Sequence, residues 1–357
     1  MNYNLLHLMF ILLFCMVGLD VSAHDIEVPN ADGEMIYYSY INDGMELAVA
    51  GGDFNIYTYM KTLVIPDEVT YDNRILKVTS IGCGAFSFNT YLTAIALPNS
   101  VTTIENDAFD NCASLKCVTI PNSVTTIGDK AFRACISLDS VIIGNHVATI
   151  GNRAFDSCVK LVSVIIPNSV KTIGDAAFRT CGLTSVIIGD SVMSIGSSAF
   201  YGCRGLTSIS IPDDVTTIGD GAFLECRNVT SVSIGSGVKS IGRKAFSGLS
   251  NLTDVICMAI AVPETANQTN QAFESSNFNA TLHVPEASLE AYRTTAPWSE
   301  FKNIVPITSS GIIAPTATQQ TTIVECYDLF GRRACMPRRG MNILKMSDGN
   351  TKKVVVK

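Results

Sequence analysis

The sequence predicts a β-rich solenoid of about eight 23-residue coils, with N- and C-terminal caps and a small C-terminal β module. The first observation is a repeated Ala-Phe dipeptide, whose phenylalanines are Phe86, Phe109, Phe132, Phe155, Phe178, Phe200, Phe223 and Phe246. The interval is 23 residues throughout, except for one interval of 22. A fixed period of this length is typical of arrays in which each unit buries its apolar face against its neighbours. The second observation is that no stretch of the repeat is long enough for a regular helix, so strands and turns are expected.

Each unit has the pattern of one short strand followed by tight turns. In residues 115–137, Val118 and Ile120 alternate as the inward-facing positions of a strand. Pro121, which other units replace with Gly, ends the strand and turns the chain. Gly128 is interpreted as the residue that permits the next bend. The units together are predicted to form one wall of parallel strands with short turns behind it.

The regions outside the repeat predict the remaining organisation. We expect a signal peptide at 1–23, an N-terminal β cap and entry to the first coil at 24–83, the solenoid at 84–257, a C-terminal cap at 258–307, a linker at 308–322 and a small β segment at 323–357. A short helix around 288–293, together with Trp298, would cover the last coil. Open solenoids need such caps because a bare terminal edge pairs with other strands.

The N-terminus has the features of a secretory signal. The run from Leu8 to Leu19 is uncharged and too short to span a bilayer, and Val21-Ser22-Ala23 is a small-x-small cleavage pattern. A lipoprotein alternative would need Cys15 as the lipidated residue, but Phe14 before it is larger than the usual residue there. No other segment is apolar enough to cross a membrane, so the sequence predicts an exported chain without a transmembrane span.

Composition and charge limit the possible partners. The formal net charge is −7, with 47% hydrophobic and 16% charged residues, which is too apolar for a disordered protein. Residues 323–357 carry eight basic and three acidic residues, whereas residues 24–322 carry a net charge of −11. The bulk of the chain has no basic strip, so nucleic acid is not expected as a partner.

Six cysteines recur at one repeat position, three residues after each phenylalanine. They are Cys112, Cys135, Cys158, Cys181, Cys203 and Cys226. The favoured interpretation is a column of buried free thiols that fill the same position in successive coils. Disulfides between coils remain an alternative, because neighbouring coils lie about 5 Å apart. A zinc site is not predicted, since no local CxxC or HxxxH cluster is present.

The sequence does not predict an enzyme. The histidines after residue 23 are His24, His146 and His283, on separate elements. No GxSxG, GxxxxGK[ST], HExxH or EF-hand loop is present. Asp129, Asp175 and Asp220 follow Ile-Gly in separate coils and are expected to form a solvated surface row rather than a catalytic pair. We therefore expect no catalytic residue, metal site or cofactor.

The outward face of the strand wall is the candidate binding surface. Its two outward positions lack charge, and the residues proposed to contact a partner are Thr119, Ser140, Ile142, Ser163, Ile165, Ser185, Ile187 and Ser208. Three consecutive coils present isoleucine there. This residue favours strands, so cross-strand stabilisation of the wall is one interpretation. The other is a binding strip, because contiguous exposed apolar area tends to be used.

The same face favours a protein as the ligand. Sugar sites usually offer aromatic platforms with charged or amide groups, and these outward positions have neither. A Ser/Thr/Ile surface fits an extended peptide or a protein surface better. The alternative is a glycan-binding or structural component of a surface nutrient-uptake or coat assembly.

The repeat resembles the BspA-like leucine-rich repeats of bacterial and protozoan surface proteins. The residues that carry the resemblance are IPNSVTTIGDKAFRAC and its equivalents over residues 60–260. The resemblance implies a curved leucine-rich-repeat array with strands on its concave side, and a cell-surface protein that adheres to host or matrix proteins. The C-terminal YDLFGRR and KVVVK resemble the sorting module of the Bacteroidetes type IX secretion route, which implies attachment at the outer membrane.

Overall fold

A computed structural model describes residues 24–51, 57, 60–265, 272–307, 323–328, 333–334, 340–346 and 351–356. The chain is a β-solenoid of about 10 turns with ~23-residue repeats and almost no helix, which confirms the predicted fold class. The expected signal peptide at 1–23 and linker at 308–322 lie outside the described residues.

The solenoid has two walls of parallel strands. The N-terminal strands are β1 (Ile26–Pro29), β2 (Met35–Ile41), β3 (Glu46–Val49), β4 (Thr62–Val64), β5 (Glu68–Tyr71) and β6 (Arg74–Ile81). The first wall consists of β4 followed by β7 (Ala94–Ala96), β9 (Cys117–Thr119), β11 (Ser140–Ile142), β13 (Ser163–Ile165), β15 (Ser185–Ile187), β17 (Ser208–Ile211), β19 (Ser231–Ile234), β21 (Asp254–Cys257), β23 (Thr281–Val284) and β24 (Asn303–Pro306). The second wall consists of β8 (Thr103–Ile104), β10 (Thr126–Ile127), β12 (Thr149–Ile150), β14 (Thr172–Ile173), β16 (Ser194–Ile195), β18 (Thr217–Ile218), β20 (Ser240–Ile241) and β22 (Glu264–Thr265).

The second wall was not predicted. Its two-residue strands join β1, β2, β3 and β6 in one continuous 13-stranded sheet, with β5 on the side of β6. The first wall is divided into three sheets, which are β4 to β11, then β13 with β15, then β17 to β24. The prediction of one wall with turns behind it was therefore wrong, because a Thr-Ile pair is too short to show strand periodicity in the sequence.

The Ala-Phe turns also link successive coils by hydrogen bonds. In one turn, the amides of Asp107, Phe109 and Asn111 donate to carbonyls of the next coil at 2.8, 2.7 and 2.7 Å. Asp107 and Asn111 have positive φ values of 56° and 59°, and this left-handed geometry recurs at the equivalent positions of later coils. The turn side of each of these coils is thus hydrogen-bonded to its neighbour, as the two walls are, and this satisfies the backbone groups of the turns.

The phenylalanines form one stack along the core. From Phe86 to Phe273, successive ring centroids lie 4.9–5.6 Å apart and the planes differ by 0–17°. The stack ends in aromatic rings of different orientation, with Tyr57 tilted by 45° on Phe86 and Trp298 at 63° to Phe273. These rings close the core at each end of the column.

Gly128 has a different role from the one predicted. Its φ is not in the left-handed region, but a Cβ on this residue would lie 2.6 Å from the carbonyl carbon of Glu105 in the previous coil. The equivalent Gly151 would clash in the same way with Gly128. From Gly128 onward the glycines of this column serve the close approach of coils rather than backbone freedom, whereas Glu105 occupies the position in the preceding coil.

The C-terminal end is covered by a short helix. The expected helix is present as α1 (Leu289–Thr294), between 3₁₀ turns at Glu286–Ser288 and Trp298–Glu300. Arg293 donates to the carbonyl of Ile304 in the edge strand β24 at 3.3 Å. Pro306, at the end of that strand, has no amide to offer. The edge is therefore blocked against pairing with another strand.

The backbone of the C-terminal segment forms a separate antiparallel sheet. Its strands are β25 (Ile323–Asp328), β26 (Arg333–Ala334), β27 (Gly340–Met346) and β28 (Thr351–Val356). The strand order is β26-β25-β27-β28.

Candidate binding surface

The strand-face strip, defined as the eight outward residues proposed above, lies on adjacent strands of the first wall. Ser140 and Ile142 of β11 pair with Cys117 and Thr119 of β9. Ile187 is 39% exposed, and Ile142, Ile165 and Thr119 are half-buried. The isoleucine side chains therefore face outward but are partly covered by their neighbours.

Two seams cross the strip. Ser163 and Ile165 pair with Ser185 and Ile187, so these four residues form a two-stranded block. This block is not in ladder pairing with β11 on one side or with β17, which begins at Ser208, on the other. The strip is therefore three adjacent blocks rather than one sheet.

The strand on the N-terminal side of each seam also sits differently in the core. Val141 of β11 and Val186 of β15 are half-buried, whereas the equivalent Val118 and Val164 are 1% and 3% exposed. The amide of Ile120 donates to the next coil at 2.8 Å, but Ile143 has no such backbone bond within the described chain. Backbone pairing is weaker at this part of the strip than elsewhere on the wall.

The outward strand positions of the first wall carry no acidic or basic side chain from β7 to β19. The outward positions of seven successive strands, β7 to β19, hold only Ala, Cys, Thr, Ser and Ile. The first charged groups appear at Asp254 of β21 and His283 of β23, whose side chains approach to 3.6 Å. At these outward positions a partner would therefore meet hydroxyl, thiol and apolar groups.

Sequence reasoning missed the apolar residues beside the strip. Val159 and Val162 are 52% and 51% exposed and belong to the same coil as Ile165, and Ile136 in the preceding coil is 47% exposed. The sequence did contain an indication of them. Val162 stands at a repeat position that holds Lys116, Asp139 or Thr in other coils, so an apolar residue there is unusual. These residues widen the apolar area around β13.

The repeat identifies the protein family. The model of the BspA type leucine-rich repeat region matches residues 54–183 and 171–296, in six copies. These ranges together cover well over half of the chain. The chain belongs to the BspA-type leucine-rich repeat family.

Solved structures agree with this assignment. The chain is similar to a leucine-rich repeat protein from Bacteroides ovatus ATCC 8483, with 25% identity and a TM-score of 0.55 over 76% of this chain and 75% of that one. It also resembles in fold a leucine rich cell surface protein from Faecalibacterium prausnitzii A2-165, with 21% identity and a TM-score of 0.50 over 81% of this chain and 97% of the other. No curated protein matches the chain in sequence.

The cysteine column of this BspA-type chain consists of buried free thiols, as favoured from the sequence. Each Sγ donates to the carbonyl of a phenylalanine in the preceding coil, for example Cys135 to Phe109 at 3.2 Å. At the two ends of the column, Asn89 and Ser276 provide the side-chain donors instead. Burial raises the pKa of Cys135, Cys158, Cys203 and Cys226, which disfavours the reactive thiolate form of these four side chains.

The acidic row after Ile-Gly forms a ladder and is not merely solvated. Asp129 accepts the amide of Asn152 at 2.7 Å, and Asn152 accepts the amide of Asp175 at 2.8 Å. Asp220 accepts the amide of Arg243 in the same way. These BspA-type turns thus use short Asn and Asp side chains to connect coils, and the row remains a structural feature.

Two ion pairs combine a buried carboxylate with a partly exposed arginine. Arg133 donates to both carboxylate oxygens of Asp110, at 2.8 and 2.6 Å, and Asp110 is 3% exposed. Arg179 and Asp156 repeat the arrangement two coils later. Both pairs join neighbouring coils, so they are assigned to stability rather than to ligand binding.

The described residues contain no group of three or more side chains suited to holding a metal ion. His24 contacts Glu27, His283 contacts Asp254, and His146 lies exposed on a turn, so the structure does not bring the histidines together. Within the same part of the chain, no helix is long and apolar enough to cross a membrane.

The second wall carries a shallow groove of about 430 Å³ near its C-terminal end. Its polar lining comes from Ser197, Thr217, Asp220, Ser240, Glu264 and Thr265. Asp220 is already committed to the turn ladder, and the lining has no aromatic platform. The strand-face strip therefore remains the stronger candidate for binding.

Proposed function

We propose that this BspA-type protein is exported to the bacterial cell surface and binds another protein through the strand-face strip, without catalysing a reaction. The observation that carries the proposal is the uncharged outward face of seven successive strands, in which apolar residues cluster on β11 to β15. The similar fold of a leucine rich cell surface protein from Faecalibacterium prausnitzii supports the location. Adhesion to a host or matrix protein is the expected role.

The chemistry of the strip supports a protein ligand. Ile165, Ile187 and the neighbouring Val162 offer apolar area that a partner can cover. The hydroxyls of the exposed Ser163, Ser185 and Ser208 can exchange hydrogen bonds across the interface, whereas that of Ser140 is buried. Because no charged group has to be desolvated, an uncharged partner surface would bind at low electrostatic cost. The weaker pairing at the seams lets the three blocks adjust to the partner.

Binding of the chain from His24 to immobilised fibronectin, laminin and collagen would test this proposal. Replacing Ile142, Ile165 and Ile187 together by serine should weaken binding at least about tenfold, because the apolar anchors are lost. Serine fits the fold, since Ser210 and Ser233 already occupy this position.

Met193→Ser provides the matched control, because Met193 is 53% exposed and lies outside the strip. Unchanged binding of the triple variant would refute the strip as the binding site. A glycan array run in parallel addresses the alternative: a saccharide bound by the parent chain and lost in the triple variant would favour the glycan-binding function.

We also propose that residues 323–357 direct the chain to the outer surface. The antiparallel sheet of β25 to β28 is compatible with a folded sorting module, and the YDLFGRR and KVVVK stretches supply the resemblance. A chain ending at residue 322 should be exported but remain in the periplasm, as measured by protease accessibility on intact cells. Normal surface display of this truncated chain would rule out the sorting role.

A further inference from the structure

The N-terminal cap exposes an apolar pair at the tips of two neighbouring hairpins. Met45 is 70% exposed and Ile75 is 67% exposed, well above the 39% of Ile187 in the strip. Met45 precedes β3 and Ile75 lies near the start of β6, and these strands pair in parallel. Arg74 donates to the carbonyl of Gly44 at 2.5 Å and joins the two tips.

Both tips have defined turns. Asp72 and Asn73 have φ values of 48° and 59° and connect β5 to β6 through a two-residue loop, the geometry of a type I′ turn. Asn42 and Asp43 before Met45 are also left-handed, at 50° and 56°. Because these turns hold the backbone, a partner would meet the apolar pair without ordering a loop first.

Acidic side chains lie at the two turns beside this pair, and the exposed Lys77 follows Ile75 on the same face of β6. Asp43 and Asp72 are exposed at the two turns, and Arg74 is already engaged with Gly44. Residues 24–83 contain ten acidic and three basic residues, a net charge of −7. Residues 323–357 have the opposite composition, with a net charge of +5 and many aliphatic residues. An apolar pair with an acidic rim fits a basic segment of this kind.

We infer that the cap tip, defined as Asp43, Met45, Asp72 and Ile75, is a docking surface for the basic C-terminal segment of a second copy of this chain. Contact between two different surfaces is heterologous, so repeated contacts produce either a closed ring or an open, end-to-end chain. The inference concerns a surface separate from the strip and does not rest on the function proposed above.

The dimensions favour a second molecule over the same one. The first wall contains eleven strands from β4 to β24, which at ~4.8 Å per strand spacing extend over about 48 Å. The fifteen residues 308–322 reach at most about 50 Å when fully extended. Docking within one molecule would need residues 308–322 to be well extended, whereas docking between molecules requires no particular linker conformation. A chain trimmed before residue 323 cannot make the contact.

Sedimentation velocity of the chain from His24 to Lys357 tests the inference. The weight-average sedimentation coefficient should rise with protein concentration at 50 mM NaCl and fall back toward the monomer value at 500 mM NaCl, because the contact is partly electrostatic. Asp43→Lys with Asp72→Lys should weaken association at least about tenfold, and so should Lys352→Glu with Lys353→Glu. A chain with all four changes should regain association.

Control variants separate this contact from nonspecific association. Asp190→Lys with Asp214→Lys changes two exposed acids outside the cap and should leave association unchanged. Met45→Ser with Ile75→Ser should weaken association without changing charge, and circular dichroism should confirm that each variant is folded. A chain that stays monomeric at all concentrations would overturn the inference. So would association that persists in both charge-reversed pairs, or a fourfold variant that does not recover.

Discussion

The thiol of Cys158 donates a hydrogen bond to the carbonyl oxygen of Phe132, one coil earlier, at 3.2 Å. The same bond recurs along the column with a separation of 25 or 26 residues. It connects the cysteine column to the phenylalanine stack, so the two most regular features of the sequence form one packed unit. Six successive coils thus place a small donor at this position, whereas the next coil fills it with the buried Leu249.

Two substitutions of Cys158 separate the contribution of its side-chain volume to stability from the contribution of its hydrogen bond. Cys158→Ala should lower the free energy of unfolding by about 1–2 kcal/mol, because it leaves a small cavity and removes a donor. Cys158→Ser should cost less, since Ser276 already donates to the carbonyl of Phe246 at 2.6 Å. Urea denaturation followed by circular dichroism measures both, with exposed Cys83→Ala as the control. A serine variant less stable than the alanine variant would show that the hydrogen bond does not matter here.

The buried thiols and phenols should make the fold sensitive to alkali. Burial raises the pKa of Cys226 from 9.0 to about 12 and also raises the pKa of Tyr38. The unfolded chain therefore loses these protons first, so the free energy of unfolding should be unaffected by them below about pH 9 and should fall as the pH rises from there toward 12. Urea midpoints at pH 7.5, 9 and 10.5 would reveal the decline. Cys226→Ser should reduce it, and an identical decline in that variant would exclude the thiol as a contributor.

Repetition in the sequence predicted the core far better than the surface. Phe132 and Cys135 could be placed from one unit, because every coil must fill the same interior with the same side chains. The second wall was missed because a pair such as Thr172–Ile173 carries no alternation that indicates a strand. The seams were also beyond prediction: Val141 and Val118 are the same residue type at the same repeat position, yet only Val118 is fully buried. Such differences arise from small displacements of one coil relative to the next. The residue pattern of the repeat does not encode these displacements.

Removing the arginine from the ion pair between Arg133 and Asp110 should lower the free energy of unfolding. Arg133→Met leaves the Asp110 carboxylate, which is 3% exposed, without its cation, and should lower the free energy of unfolding by about 2–3 kcal/mol. Adding Asp110→Asn should recover part of the loss, because the uncompensated charge is removed. Arg153→Met, at an exposed arginine, serves as the control in the same urea experiment. Equal losses for Arg133→Met and Arg153→Met would contradict a specific pair.

Two glycine substitutions should separate close approach from backbone conformation. In Gly151→Ala, the new Cβ would lie 2.6 Å from the carbonyl carbon of Gly128 and 2.7 Å from the amide nitrogen of Asp129, so the coils must move apart. We expect a loss of about 3 kcal/mol or more, since backbone atoms cannot yield as a flexible side chain would.

Gly221 provides the comparison because its φ is +60° but a Cβ there would meet nothing closer than 3.6 Å. Gly221→Ala should cost only about 1 kcal/mol, the strain of a left-handed alanine. Lys130 already occupies the equivalent position in another coil with a φ of 55°. Thermal unfolding should therefore rank Gly151→Ala far below Gly221→Ala in stability. The reverse order would mean that turn conformation, rather than coil spacing, selects glycine in this repeat.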